Sequence, residues 1–112
     1  MVNRNGARSI YFILKRILVV GDIHGALKAL QQVMHRAAVT PDDQLIFLGD
    51  YADGWSQSAQ LMQFLAELQS TQPCIFIKGN HDAWCEDWLR TGHSDSTWLL
   101  HGGKSTIQIY AT

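Results

Sequence analysis

Three short apolar runs divide the chain at regular intervals, at residues 17–20, 45–48 and 74–78. They are rich in branched and aromatic side chains and do not alternate with polar residues, a pattern typical of strands buried on both faces of a parallel sheet. Between them, residues 27–37 and 61–68 carry apolar side chains at helical spacing. The order strand, helix, strand, helix, strand predicts an α/β fold with right-handed crossovers.

A polar motif follows each apolar run directly. The motifs are GDIHG at residues 21–25, GDYADG at 49–54 and GNHD at 79–82, and they start 28 and 30 residues apart. Because ligands bind beyond the carboxyl ends of parallel strands, we expect all three motifs at one edge of the sheet. Each motif alone is typical of a turn. Together they gather carboxylates, an amide and imidazoles, the ligands of divalent metal ions.

Composition indicates one compact domain, with 46% apolar and 17% charged residues and a net charge of −1. No block of like charge indicates a nucleic-acid tail or a membrane patch. The apolar stretch at residues 9–20 is broken by two basic residues and is too short to span a bilayer. Cys74 and Cys85 form no recognisable pair, which predicts free thiols in a reducing, cytoplasmic compartment. Residues 1–9 are expected to be a loose leader.

Taken together, the three motifs resemble the signature of the calcineurin-like metallophosphoesterases, and most nearly the phosphoprotein phosphatase branch with its bacterial and phage relatives. The sequence WLLHGG at residues 98–103, followed by Thr106, also resembles that branch, where a tryptophan and Asn-Gly-Gly precede a helix. The resemblance covers residues 17 to about 110. It implies the amino-terminal βαβαβ half of an α/β/β/α sandwich, and the hydrolysis of a phosphoric ester by a water that two metal ions activate.

The resemblance also implies a set of metal ligands. Asp22 and His24 would hold the first ion, Asp50 would bridge both ions, and Asn80 would bind the second through its amide oxygen. Manganese, iron and zinc all suit such ligands, so the sequence predicts two divalent ions without choosing among these metals.

Two further residues have roles implied by the resemblance that do not involve metal. His81 would protonate the leaving-group oxygen, and Asp53 would orient His81. An imidazole is well suited to acid catalysis near neutral pH.

Three positions depart from the phosphoprotein phosphatase pattern. That branch carries arginine where this chain has Gly54 and Lys78, and glutamate where it has Asp82. Phosphate binding must therefore differ, because arginine grips phosphate bidentately. Aspartate at the last position occurs more widely in the superfamily, including the dinucleoside tetraphosphate hydrolases.

We predict a serine/threonine protein phosphatase-like hydrolase, with a nucleotide or dinucleoside polyphosphate hydrolase as the alternative. The expected substrate is a phosphoprotein, a nucleotide or a small phosphate ester.

A fourth departure concerns the histidines that complete the family's metal site from a second half of the fold. The remaining histidines, His35, His93 and His101, carry no ligand signature. We therefore expect an amino-terminal fragment, and a non-catalytic fragment with a partial metal site is a third interpretation. One face of its sheet would lack a cover and is expected to self-associate.

Two segments near the carboxyl end are less regular. Residues 84–90 look helical, and their two tryptophans, with Trp55 and Trp98, are expected to pack or to line a substrate cleft. Residues 106–110 alternate like a strand, whereas the family resemblance implies a helix, which we predict.

Overall fold

The sheet is parallel and has three strands in the part of the chain that the computed structural model describes, residues 16–111. The strands are β1 (Ile17–Val20), β2 (Gln44–Phe47) and β3 (Cys74–Phe76), in the spatial order β1-β2-β3. This confirms the predicted α/β architecture, with small shifts at the strand ends. The expected leader at residues 1–9 lies outside the described residues.

Two helices make the crossovers: α1 (Leu27–Arg36) joins β1 to β2, and α2 (Ser58–Leu68) joins β2 to β3. The remaining helical segments follow β3 and are α3 (Asn80–Thr91), the short turn α4 (Ser96–Trp98), a kinked π-type turn (Leu99–Gly103) and α5 (Lys104–Ala111). The predicted helices at residues 84–90 and 106–110 are thus confirmed within α3 and α5. No helix among residues 16–111 has the length and apolar character needed to cross a bilayer.

The main core lies between one face of the sheet and the two crossover helices. Leu45 and Phe47 of β2 share a buried cluster with Leu30 of α1 and with Leu61 and Leu65 of α2. All five side chains are at most 4% exposed. The helical spacing of apolar residues in the sequence therefore corresponds to the packed faces of α1 and α2.

A second, smaller core lies under the carboxyl-terminal helices. Ala52, Cys85 and Trp98 are buried there, and Trp84 and Trp88 pack against them. This cluster fixes α3 and α4 against the loop that follows β2. Three of the four tryptophans are therefore packing residues.

The opposite face of the sheet is open in the described part of the chain. Val19 pairs with Ile46, which pairs with Ile75, so these side chains share one face. Ile17, Val19 and Ile75 are 64%, 59% and 51% exposed. The expectation of burial on both faces is wrong for these residues. Two successive right-handed crossovers in the order β1-β2-β3 place α1 and α2 on the same side.

Candidate metal centre and acid pair

The loops that follow β1 and β2 lie side by side, joined by backbone hydrogen bonds. The amides of Ile23 and His24 donate to the Asp50 carbonyl at 3.2 and 2.9 Å, and the Gly25 amide donates to the Tyr51 carbonyl at 2.7 Å. The first two polar motifs are therefore held in a fixed relation before any ligand binds.

Asp22, His24 and Asp50 form a compact cluster at this edge. One ligand atom from each lies within 4.8 Å of the others, and Asp22 Oδ2 is 3.6 Å from His24 Nε2. Two carboxylates and an imidazole are a donor set suited to manganese, iron or zinc. The structure thus brings together three of the four predicted metal ligands.

The ring of His24 is oriented for metal binding. Its Nδ1 lies 3.0 Å from the carbonyl oxygen of Ala52. Since a carbonyl only accepts hydrogen bonds, Nδ1 carries a proton, and Nε2 is the ring nitrogen available to a metal ion. Histidines that bind metals commonly donate their second ring N–H in this way. The residues present therefore fit a divalent ion.

The third motif packs against Asp50. The His81 amide donates to Asp50 Oδ1 at 3.1 Å, and a Cβ at position 79 would collide with the Asp50 carboxylate. Glycine is therefore required at position 79. The neighbouring Asn80 begins α3 and is exposed. Its role as a ligand of the second ion stays a prediction.

Asp82 connects the second and third motifs. Its carboxylate accepts hydrogen bonds from the backbone amides of Asp50 at 2.6 Å, Tyr51 at 2.8 Å and Gly79 at 2.9 Å. This carboxylate therefore has an architectural role, which the sequence analysis did not identify. The spacing from Gly79 to Asp82 matches that of a capping box, a signal that could have revealed part of this role.

His81 and Asp53 form a close pair. His81 Nδ1 lies 2.7 Å from Asp53 Oδ2, and Asp53 is 1% exposed. The same carboxylate also accepts from the Trp98 indole at 2.6 Å and from the Thr106 hydroxyl at 2.5 Å. Sequence analysis missed these last two contacts, since they join residues 45 and 53 positions apart.

Three of the predicted site residues have an unusual backbone. The φ angles of His24, Asp50 and Asp53 are 48°, 55° and 77°, in the left-handed region that residues other than glycine seldom adopt. Such conformations cost free energy and concentrate at functional sites. Of the four described residues other than glycine with a positive φ, three belong to the cluster or to the His81–Asp53 pair, and the fourth, Ala38, lies just after α1.

A cavity of about 300 Å³ connects the metal-ligand cluster to the pair formed by His81 and Asp53, which we call the acid pair. Its lining consists of histidines, an aspartate, a tryptophan and a glycine, namely His24, Asp53, Gly54, Trp55, His81 and His101. No lysine or arginine is among these lining residues. A larger cavity of about 530 Å³ lies beside β3. Its lining includes none of Asp22, His24, Asp50 or His81, so we associate the chemistry with the smaller cavity.

Lys78 and the two cysteines are not part of this site. Lys78 forms an ion pair with Glu86 of α3, and its hydrogen bond and charge hold the pKa of Glu86 below the usual value. Cys74 and Cys85 are free thiols. Burial raises the pKa of Cys85 to about 11, so this thiol stays protonated and unreactive near neutral pH.

The sequence pattern of the calcineurin-like phosphoesterases matches residues 15–111. The chain belongs to this family. The family resemblance inferred from the three motifs is confirmed.

The relatives of this chain include protein phosphatases and a nucleosyl tetraphosphatase. The chain is 36% identical to "Serine/threonine-protein phosphatase 2" of Escherichia coli (strain K12) over 80% of this chain and 39% of that protein. It is 29% identical to "Serine/threonine-protein phosphatase PP2A-like PPG1" of Saccharomyces cerevisiae, over 93% of this chain and 28% of that protein. It is 23% identical to "Bis(5'-nucleosyl)-tetraphosphatase PrpE [asymmetrical]" of Oceanobacillus iheyensis, over 85% of this chain and 40% of that protein. The chain thus spans less than half the length of each.

Proposed function

We propose that this phosphoesterase family member hydrolyses phosphoric esters in the manner of a serine/threonine protein phosphatase. The observation that carries the proposal is the convergence of a metal-ligand cluster and a histidine–aspartate pair on one cavity. His24 of the cluster and His81 of the pair both line that cavity, with ring centroids 4.9 Å apart. A substrate phosphoryl group in this cavity contacts both sets of residues.

The residues divide the work of ester hydrolysis. Asp22, His24, Asp50 and Asn80 would hold two divalent ions, which would supply an activated water and offset charge on the phosphoryl oxygens. As the bond from phosphorus to the leaving oxygen breaks, His81 transfers a proton to that oxygen. Asp53 holds the His81 ring in place at 2.7 Å throughout.

Phosphate recognition in this chain does not use an arginine of the cavity lining. Gly54 stands where the phosphoprotein phosphatases carry an arginine, and the lining residues include neither arginine nor lysine. Apart from His24 and His81, His101 is the one lining residue that can become cationic. We propose that the ions and His101 share the contact with the phosphoryl oxygens.

A dinucleoside polyphosphate or nucleotide hydrolase is the second candidate. It is favoured by Asp82 in place of glutamate and by the similarity to the bis(5'-nucleosyl)-tetraphosphatase of Oceanobacillus iheyensis. Identity to that relative is lower than to the phosphatase of Escherichia coli, which is why we place it second.

The test compares substrates with added manganese. The full chain is assayed with a phosphoserine peptide, a dinucleoside tetraphosphate and an aryl phosphate, with Asp50→Asn as the matched inactive control. Faster release from the phosphopeptide supports the first candidate, and faster release from the tetraphosphate supports the second. No release above the control, with manganese bound, would support the third interpretation, a non-catalytic metal-binding fragment. The same assay on a version extended along its coding frame would show whether further residues restore activity.

A cytoplasmic location is part of the proposal and stays a prediction. The two free thiols support it, because free cysteines are the usual state in a reducing compartment.

A further inference from the structure

We infer that Trp98 and Thr106 are positioning residues for the acid His81, which they reach through the carboxylate of Asp53. The inference rests on the proposed role of His81 in ester hydrolysis. Neither residue belongs to a polar motif, and both lie in the carboxyl-terminal segment, far from β2 in sequence.

The Asp53 carboxylate is enclosed on all sides by donors. Oδ2 accepts from Trp98 Nε1 at 2.6 Å and from His81 Nδ1 at 2.7 Å, while Oδ1 accepts from Thr106 Oγ1 at 2.5 Å. Asp53 is 1% exposed, and Trp98 and Thr106 are fully buried. With both oxygens engaged, the carboxylate cannot rotate without breaking a buried hydrogen bond.

The hydrogen bonds around Asp53 indicate which His81 nitrogen carries a proton. An indole N–H donates and never accepts, so Oδ2 accepts from Trp98, and an ionised carboxylate has no proton to donate to His81. The contact between Oδ2 and His81 then needs its proton from the ring. Nδ1 is therefore protonated, and Nε2, at the far side of the ring, is the atom that can serve the substrate.

The packing around these two residues fits a positioning role. A Cβ at Gly103 would collide with the Trp98 ring, so glycine lets the start of α5 close over the indole. Thr106 lies one turn further along α5. The Asp53 amide is also held, donating to Ser58 Oγ at 3.1 Å. The carboxylate is thus fixed from its backbone and from both of its oxygens.

The first test uses nitrogen NMR of the histidine rings in the full chain, without metal. We expect His81 Nδ1 to be protonated in the wild-type chain. We expect its N–H signal to weaken through faster exchange in Thr106→Val, which removes the hydroxyl and keeps the shape. Thr106→Ser keeps the hydroxyl and should preserve the signal. A wild-type His81 with an unprotonated Nδ1 would overturn the inference even if no variant folds.

The second test is kinetic and uses the same variants. Thr106→Val and Trp98→Phe should lower turnover of a phosphoserine peptide by about 10- to 100-fold, the range expected when a reacting group is misplaced. The loss should be much smaller for an aryl phosphate, whose leaving oxygen needs no proton. Thr106→Ser should restore most of the activity on the peptide.

The two readouts separate this inference from the proposed function. A chain that hydrolyses no phosphate ester would contradict the proposed function, and the ring spectra would still decide whether Trp98 and Thr106 position His81. Equal losses on both substrates, or equal losses in Thr106→Val and Thr106→Ser, would show that these residues only stabilise the fold and would overturn the inference.

Discussion

Asp50 and Asp53 lie three residues apart in one loop, yet their surroundings are opposite. Asp50 is half-buried, accepts a backbone hydrogen bond from His81 on Oδ1, and lies in the cluster with Asp22 and His24. Asp53 is 1% exposed, and both of its oxygens are occupied by side-chain donors. A metal ion needs free oxygen lone pairs, so the surroundings of Asp50 suit metal binding better than those of Asp53. The two residues are of one type, so it is their environments that support the different roles proposed for them.

The largest expected effect on activity comes from neutralising Asp50, the carboxylate in the metal-ligand cluster. Asp50→Asn should abolish binding of a second ion and nearly all hydrolysis, because an amide oxygen is too weak a donor to bridge two cations. Elemental analysis gives the metal stoichiometry, and turnover is measured on an aryl phosphate. An unchanged number of ions per chain would rule out the bridging role.

A smaller effect, confined to turnover, is expected on the side of the acid pair. His81→Asn should keep metal content near normal and lower turnover on a phosphoserine peptide by about 10²–10⁴-fold, the usual contribution of general acid catalysis. The reduction should be milder for an aryl phosphate. Loss of metal, or the same reduction on both substrates, would exclude His81 as the general acid. It would also contradict the separate roles proposed for Asp50 and Asp53.

One face of the sheet is covered by helices and the other is open within the described residues, which predicts that the chain self-associates. We expect the full chain to associate through the open face that carries Ile17, Val19 and Ile75. Val19→Lys should lower the mass measured by light scattering to that of one chain, because a lysine on this face opposes close packing. Val33→Lys, at an exposed position on α1, is the matched control and should leave the mass unchanged. A wild-type chain that is already monomeric would contradict this expectation.

The smallest expected effect concerns pH and the second core cluster. Burial raises the pKa of Cys85 from 9.0 to about 11. The folded chain therefore keeps a proton that the unfolded chain loses, and stability should fall as pH rises from about 9 to 11. Urea unfolding at several pH values measures this fall. Cys85→Ala should be less stable at pH 7 and should show a shallower decline, whereas an identical decline would assign it to other groups such as Tyr51.

The sequence was sufficient to predict the features that depend on residues close together in the chain. Each metal-ligand candidate directly follows an apolar strand, so the positions of Asp22, His24 and Asp50 follow once the strands are recognised as parallel. The pairing of loops by Asp82 and the enclosure of Asp53 by Trp98 and Thr106 depend on contacts between distant segments, which carry no periodic signal. The same limit explains the open sheet face. An apolar run indicates that a strand is suited to burial, but it does not indicate what covers it.

The central claim is that Asp50 binds metal and Asp53 orients the acid His81. Calorimetric titration of manganese into the full chain, with a variant of each carboxylate, tests it most directly. The wild-type chain and Asp53→Asn should bind manganese with similar affinity, because the proposed role of Asp53 is to orient His81 and not to bind metal. Asp50→Asn should bind it far more weakly. Equal weakening in both variants, or no binding by the wild-type chain, would contradict the assignment of one carboxylate to the metal and the other to the acid.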